Sequence, residues 1–102
     1  MSISVVKDNE LNRFEIYFDG GLAGFVEFKV SNQKISYTHT EIDPEFGGKG
    51  LGIQLIKEAL DEALEQNLEV APYCSFVSAY IKKNSEKYLD LVPKSSRNLF
   101  DL

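Results

Sequence analysis

Apolar and polar residues alternate along the chain as far as Ile42, and apolar residues recur at helical spacing from Leu51 onward, so strands are expected first and helices later. Ile3–Val6 is a short β-branched run ending in the polar cluster Lys7-Asp8-Asn9-Glu10, which predicts a first strand and a turn. Between Leu11 and Phe18, Phe14, Ile16 and Phe18 alternate with Arg13, Glu15 and Tyr17, the period of a strand with one face on a core. Asp19-Gly20-Gly21 predicts a hairpin, Leu22–Val30 a third strand, and Ser31-Asn32-Gln33 the next turn.

Lys34–Ile42 predicts a fourth strand, with Ile35, Tyr37, His39 and Glu41 on one face and Ser36, Thr38, Thr40 and Ile42 on the other. Neither face is cleanly apolar. A strand lining a ligand cleft has that pattern, and so has an edge strand. From Leu51 to about Gln66, Leu51, Leu55, Ile56, Ala59, Leu60, Ala63 and Leu64 form a helical stripe opposite Lys57, Glu58, Asp61, Glu62 and Glu65, with Asn67 as a stop. Leu68–Pro72 is then a short extended segment. Strand, helix and strand make a βαβ unit with a right-handed crossover, in which ligands collect at the carboxyl ends of the strands, here Thr40–Ile42 and Ala71–Cys74.

Ser75–Lys83 predicts a second helix with Phe76, Val77, Tyr80 and Ile81 as its apolar stripe, and Glu86–Leu91 a further helical turn. The tail Lys94–Leu102 is either loose or docked through Leu99, Phe100 and Leu102.

The totals narrow the function classes. At 102 residues the chain is expected to form a single compact domain over 1–102. A net charge of -5 leaves no basic excess to displace counterions from a phosphate backbone, so no nucleic-acid partner is expected. The single cysteine, Cys74, excludes an internal disulfide and a cysteine-rich zinc site and suits a reducing, cytoplasmic setting; no metal site is expected. No signal-peptide pattern and no bilayer-length apolar run are present, so no membrane partner is expected either. The pattern does not specify an oligomeric state.

Four of the seven glycines lie in Ile42-Asp43-Pro44-Glu45-Phe46-Gly47-Gly48-Lys49-Gly50-Leu51-Gly52, between the fourth strand and the main helix. A glycine-dense turn that opens a helix lets several backbone N–H groups converge on one anion, which suggests a phosphate-bearing cofactor. A sharp strand-to-helix turn alone would need fewer glycines.

At this stretch the sequence resembles the GNAT superfamily of N-acetyltransferases, through Ile42-x-Pro44 and Gly48-Lys49-Gly50-Leu51-Gly52. With His39-Thr40-Glu41-Ile42 before it and Pro72-x-Cys74-x-Phe76-Val77-x-x-Tyr80-Ile81 after it, the chain is similar to the small single-domain group typified by the YjdJ-like and NATD1-like proteins. The resemblance implies an α/β (α+β) GNAT fold, mostly antiparallel, with a central βαβ unit whose parallel strands splay. It implies acetyl-CoA or CoA as cofactor, with the pyrophosphate on the N–H groups of Gly48, Lys49, Gly50, Leu51 and Gly52 and the pantetheine arm between the parallel strands. Ile42 would offer its N–H to the acetyl carbonyl; Lys49 would add a charge near the phosphates, or is a solvated surface lysine. Gly47 stands where relatives usually carry Arg or Gln, so one side-chain contact in the cofactor-binding turn is missing. Lys82 and Lys83, at the end of the second helix, are candidates to touch the 3'-phosphate, or suit the helix C-terminus electrostatically. The helical insertion that most relatives carry after the first strand is absent, which implies an open acceptor side.

Acetyl transfer to an amine needs a neutral amine, a polarised carbonyl and a proton for the leaving thiolate. His39 is a candidate base and Glu41 its orienting or substrate-attracting partner; an imidazole tied into the sheet and a solvent-facing carboxylate are the structural alternatives. Cys74, expected opposite His39, is a candidate for a covalent two-step route, or a small buried apolar residue. Tyr80 is a candidate proton donor to the CoA thiolate, or part of the core. The expected activity is acetyl-CoA-dependent N-acetylation of an amine-bearing small molecule or peptide. The alternative is a noncatalytic CoA-binding or protein-interaction module on the same fold.

Overall fold

In the computed structural model, which describes residues 2–102, five strands lie in one sheet in chain order. They are β1 (Ile3–Asp8), β2 (Arg13–Phe18), β3 (Gly21–Ser31), β4 (Lys34–Ile42) and β5 (Glu69–Pro72). The first four are mutually antiparallel, and β5 runs parallel to β4. The helix α1 (Leu51–Glu65) connects β4 to β5, and α2 (Ser75–Lys83) and the single turn α3 (Ser85–Tyr88) follow β5, with short three-ten segments at Pro44–Phe46, Leu89–Leu91 and Lys94–Phe100. This is the mixed α/β arrangement with one parallel strand pair that the sequence predicts.

Local chemistry explains the turns. Asp19 and Gly20 both have positive φ, as do Asn32 and Gln33, which is the twist that two-residue hairpin loops require. β1 is two residues longer than expected and β2 begins at Arg13 rather than Leu11. The Asp8 carboxylate accepts the N–H groups of Glu10 and Leu11 and so places the turn later, with Leu11 exposed in it. Only residues 9–12 join β1 to β2, so no helical insertion covers this part of the sheet. At the end of α1, Asn67 takes a left-handed conformation while Leu68 N–H bonds to Ala63 C=O and Asn67 N–H to Leu64 C=O, satisfying the last carbonyls of the helix.

α1 covers one face of the sheet. Leu51, Leu55, Ile56, Ala59, Leu60 and Ala63 pack with Phe14, Ile16, Val26, Phe28, Ile35 and Tyr37, all nearly inaccessible. Inside this core the Tyr37 hydroxyl donates to the Ala59 carbonyl at 2.7 Å. α2 contributes Val77 and Ile81, but Phe76 of its expected stripe stays 42% exposed, and Leu64 sits at the margin of α1's stripe. The tail docks through Phe100, edge-on to Tyr73, and through Leu102, whereas Leu99 points to solvent. Arg97 ties it down by donating to the carbonyls of Val92 and Leu89.

A bulge in β4 decides the geometry of the site. Phe28 pairs with Tyr37 and Glu27 with His39, so Thr38 is an extra residue on β4. The alternation of faces therefore switches at that point. Ile35 and Tyr37 face α1, but His39 and Glu41 do not share their face as strict alternation predicts; they turn to the outer side, and Thr40 and Ile42 turn inward instead.

Candidate active site

The parallel pair separates where the bulge begins. Pairing of β4 with β5 ends at Tyr37 opposite Pro72, and the Cys74 N–H donates to the Tyr37 carbonyl just beyond. β4 continues through residues 38–42 without a β5 partner, which leaves a wedge-shaped opening between the two strand ends.

The glycine turn closes one end of that opening. Gly48 and Gly50 have φ of 79° and 72°, conformations strained for any residue bearing a Cβ. Gly50 caps α1 without any side-chain hydrogen bond, no acidic residue lies in the first turn, and the N–H groups of Leu51, Gly52 and Ile53 find no acceptor among the described residues. The positive end of the α1 dipole is thus open to an anion. Asp43 does not compete for it, because its Oδ1 accepts Glu45 N–H within the preceding three-ten turn.

Three elements converge at Gly52. A Cβ there would stand 2.9 Å from Phe76 Cζ and 3.5 Å from Ile42 Cγ1, so the start of α1 approaches both the end of β4 and the start of α2 only because Gly52 lacks a side chain. Gly24 on β3 serves the same crowding from the other side: a Cβ there would overlap the Glu41 carbonyl and come within 2.5 Å of Ile42 Cδ1. Sequence reasoning missed Gly24 and Phe76. A glycine inside an apolar strand run was a usable signal for the first, whereas the exposure of Phe76 had none.

Gly47 is different from its neighbours. Its φ and ψ of -66° and 154° are open to any residue, and a Cβ would meet only the Pro44 carbonyl at 3.3 Å. Lys49 reaches back over the Phe18 ring at 5.0 Å, and Phe18 in turn packs edge-on to Phe46, so the lysine sits on the β2 side of the turn.

The candidate catalytic residues divide into separate groups. His39 Nε2 lies 3.1 Å from Glu41 Oε2, and the imidazole packs on Phe25 at 6.1 Å between centroids, all on the outer face. Cys74, half-buried at the start of α2, has its thiol 3.1 Å from the Thr40 hydroxyl on the inner side. His39 and Cys74 therefore stand on opposite faces of β4. The expectation that they oppose each other is corrected, because the bulge turns His39 outward.

Tyr80 is half-buried against Tyr88, with ring centroids 5.7 Å apart, and lines a shallow apolar groove with Ile53, Phe76, Ala79 and Lys83. Lys83 stands at the rim of this groove. Lys82 instead pairs with Asp101 of the tail at 3.1 Å, so the two lysines expected to act together are turned to different surroundings. Below the groove, Asp61 of α1 accepts from Tyr88 at 2.7 Å and pairs with Lys57 and Lys87. Burial opposes its charge, yet these hydrogen bonds outweigh burial and hold its pKa below the ordinary value. Burial and the Asp61 carboxylate push the Tyr88 hydroxyl well above its own.

Outward from His39, Glu15 is the one buried charged side chain among the described residues. It accepts from Arg13 Nε at 2.7 Å and from the Tyr17 hydroxyl at 2.9 Å, and the Arg13 guanidinium lies over Phe25 at 4.5 Å. Phe25 is thus fixed between Arg13 and His39. No group of three or more potential metal ligands occurs among the described residues, and no helix there is long and apolar enough to cross a membrane.

Comparison with known proteins follows the same outline. Protein NATD1 of Xenopus tropicalis is 28% identical over 85 residues, spanning 81% of this chain and 78% of that protein. The solution structure of a GCN5-like putative N-acetyltransferase from Staphylococcus aureus superposes with a TM-score of 0.67 at 27% identity, covering 88% of this chain and 87% of the other. PaiA N-acetyltransferase from Thermoplasma acidophilum, in complex with coenzyme A, gives a TM-score of 0.58 at 25% identity over 71% of this chain and 48% of its own. Residues 13–91 match the family described as GCN5-related N-acetyl-transferase. Fold, glycine turn and sequence match agree, and the chain belongs to the GCN5-related N-acetyltransferase family.

Proposed function

We propose that this chain is an acetyl-CoA-dependent N-acetyltransferase that acts on an amine acceptor at the splayed end of β4. The observation that carries this reading is the convergence at Gly52 of an uncapped helix start, the unpaired end of β4 and the start of α2. Family members use acetyl-CoA, and the residues here fit it. The free N–H groups of the α1 start suit a pyrophosphate, and the turn at Gly48 and Gly50 carries no Cβ to obstruct it. The widening between β4 and β5 suits an extended pantetheine arm. Bound there, acetyl-CoA supplies an activated acetyl thioester.

The chain's own residues do the rest. The N–H groups from Gly48 to Gly52 would hold the pyrophosphate, and Lys49, now over the Phe18 ring, would add a charge. The Ile42 N–H would be offered to the acetyl carbonyl oxygen, to stabilise negative charge there. His39 takes a proton from the incoming amine, and Glu41, bonded to its Nε2, orients the imidazole. Phe76 and Tyr80 wall the apolar groove beside the turn, with Lys83 at its rim, a role that suits Tyr80's packing on Tyr88 better than proton donation. Direct attack by the amine is favoured over a route through Cys74, because the recorded partner of that thiol is the Thr40 hydroxyl and not His39.

The test has two stages. At about 100 times a micromolar-class Kd, acetyl-CoA should stabilise the fold by roughly 2.7 kcal/mol, visible as a clear rise in Tm. Acetylation of an amine panel should then fall steeply in His39→Ala and persist in Cys74→Ala. Absence of stabilisation by acetyl-CoA and CoA would remove the cofactor reading. Stabilisation without transfer to any amine would leave the noncatalytic CoA-binding module, the reading that the missing side chain at Gly47 favours.

A further inference from the structure

A cleft of about 270 Å³ opens between the start of β3 and the end of β4, lined by the Phe25 and Glu41 that His39 touches. Leu22, Phe25 and Pro44 give it apolar walls, and Glu41 and Asp43 line it as well. We infer that this cleft seats the acceptor and selects an unbranched aliphatic ammonium, the chemistry shared by a lysine side chain and a terminal diamine. The inference rests on the acetyltransferase reading for the fate of the amine, but the binding it claims can be measured without acetyl-CoA.

The charge balance on this face decides the sign of the ligand. No lysine or arginine lines the cleft, and Arg13, which lies over its Phe25 wall, is already engaged by Glu15 at 2.7 Å. Glu41 uses Oε2 on His39, and Asp43 uses Oδ1 on Glu45 N–H, so each keeps one oxygen for a ligand. An ammonium entering between them gains two carboxylates, while a carboxylate-bearing acceptor meets both as repulsion. The apolar walls suit a methylene stem, because a long cationic side chain can bury its carbons while the charged head stays polar. Leu22 beside the cleft is exposed, so the stem can belong to a larger molecule.

The ammonium so placed is next to the His39–Glu41 pair. One N–H bond breaks as the proton passes to His39. The neutral amine then forms its C–N bond to the acetyl carbon as the thioester C–S bond breaks, and a second amine proton neutralises the thiolate.

Amide-resolved NMR titration of the whole chain with 1,5-diaminopentane and with Nα-acetyl-lysine amide tests the inference, using pentanoate and 1-pentanol as controls. Both amines should shift residues 22–25 and 41–44, and binding should weaken with salt. Glu41→Gln and Asp43→Asn, which keep the hydrogen bonds to His39 and Glu45, should each weaken binding about threefold to tenfold. Tighter binding of the lysine amide would identify a peptide side chain as the source, and tighter binding of the diamine a free polyamine. Equal shifts from 1-pentanol or pentanoate, or unchanged affinity in both variants, would overturn the inference. Binding of the amines without their acetylation would retain the cation site and refute the acetyltransferase reading; equal kcat/KM for acidic and cationic amines would do the reverse.

Discussion

Replacing Gly24 with Ala tests the packing that holds the end of β4 in place. Gly24 has no positive φ, so backbone strain plays no part in the effect. The added Cβ would overlap the Glu41 carbonyl oxygen, come within 2.5 Å of Ile42 Cδ1 and lie 3.2 Å from Ile42 Cα. The Ile42 side chain can change rotamer, but the carbonyl belongs to the β3–β4 ladder, where Gly24 pairs with Ile42 and Phe25 with Glu41. Relief therefore requires the strands to move apart. Overpacking of this kind costs about 1–3 kcal/mol, and with backbone as the obstacle about 2 kcal/mol is expected after the gain from replacing a flexible glycine in a strand. For a domain of this size that corresponds to a fall in Tm of roughly 10 °C. Gly21→Ala is the control, since its nearest neighbour, Phe46 Cζ, lies at 3.4 Å and no loss is expected. Circular-dichroism melts measure the stability, and titration with acetyl-CoA should show weakened binding, because Ile42 shifts with the strand. A Tm within about 2 °C of the parent would refute the close approach of β3 to the end of β4.

Three further outcomes follow from the site and the core. Gly47→Arg fits the extended backbone at that position and should tighten CoA binding about tenfold, near 1.4 kcal/mol, by isothermal titration; a change under about twofold would show that the turn does not face the pyrophosphate. Tyr37→Phe removes the 2.7 Å hydrogen bond to Ala59 and should lower stability in urea by about 1 kcal/mol, with no change in m-value. Burial holds Tyr37, and burial with Asp61 holds Tyr88, above the ordinary tyrosine value of 10.0, so their contribution is complete below that pH and is lost as pH rises beyond it. Urea midpoints should therefore fall as pH is raised above about 10, and fall less in Tyr37→Phe; a flat profile would contradict the burial of these hydroxyls.

Much of the fold is legible in the sequence because it depends on neighbours along the chain. The hairpin turns at Asp19-Gly20 and Asn32-Gln33, the stop at Asn67, the stripe of α1 and the bounds of β4 and α2 all follow from residues a few positions apart. The same holds for the glycine turn, where Gly48 and Gly50 carry their positive φ in their own identity. The faces of β4 were not legible, because a bulge is a property of two paired strands: Thr38 becomes extra only when Phe28 meets Tyr37 and Glu27 meets His39. That single register shift parts His39 from Cys74, gives the thiol to Thr40 and turns the imidazole toward Phe25. Likewise Gly24 and Gly52 matter only because β4, α1 and α2 close on one point from distant parts of the chain. Sequence by itself determined the elements, the turns and the glycine-dense helix start, through local backbone preference. Tertiary structure alone decided which side chains share a face of the site, since pairing register and close approach exist only between elements.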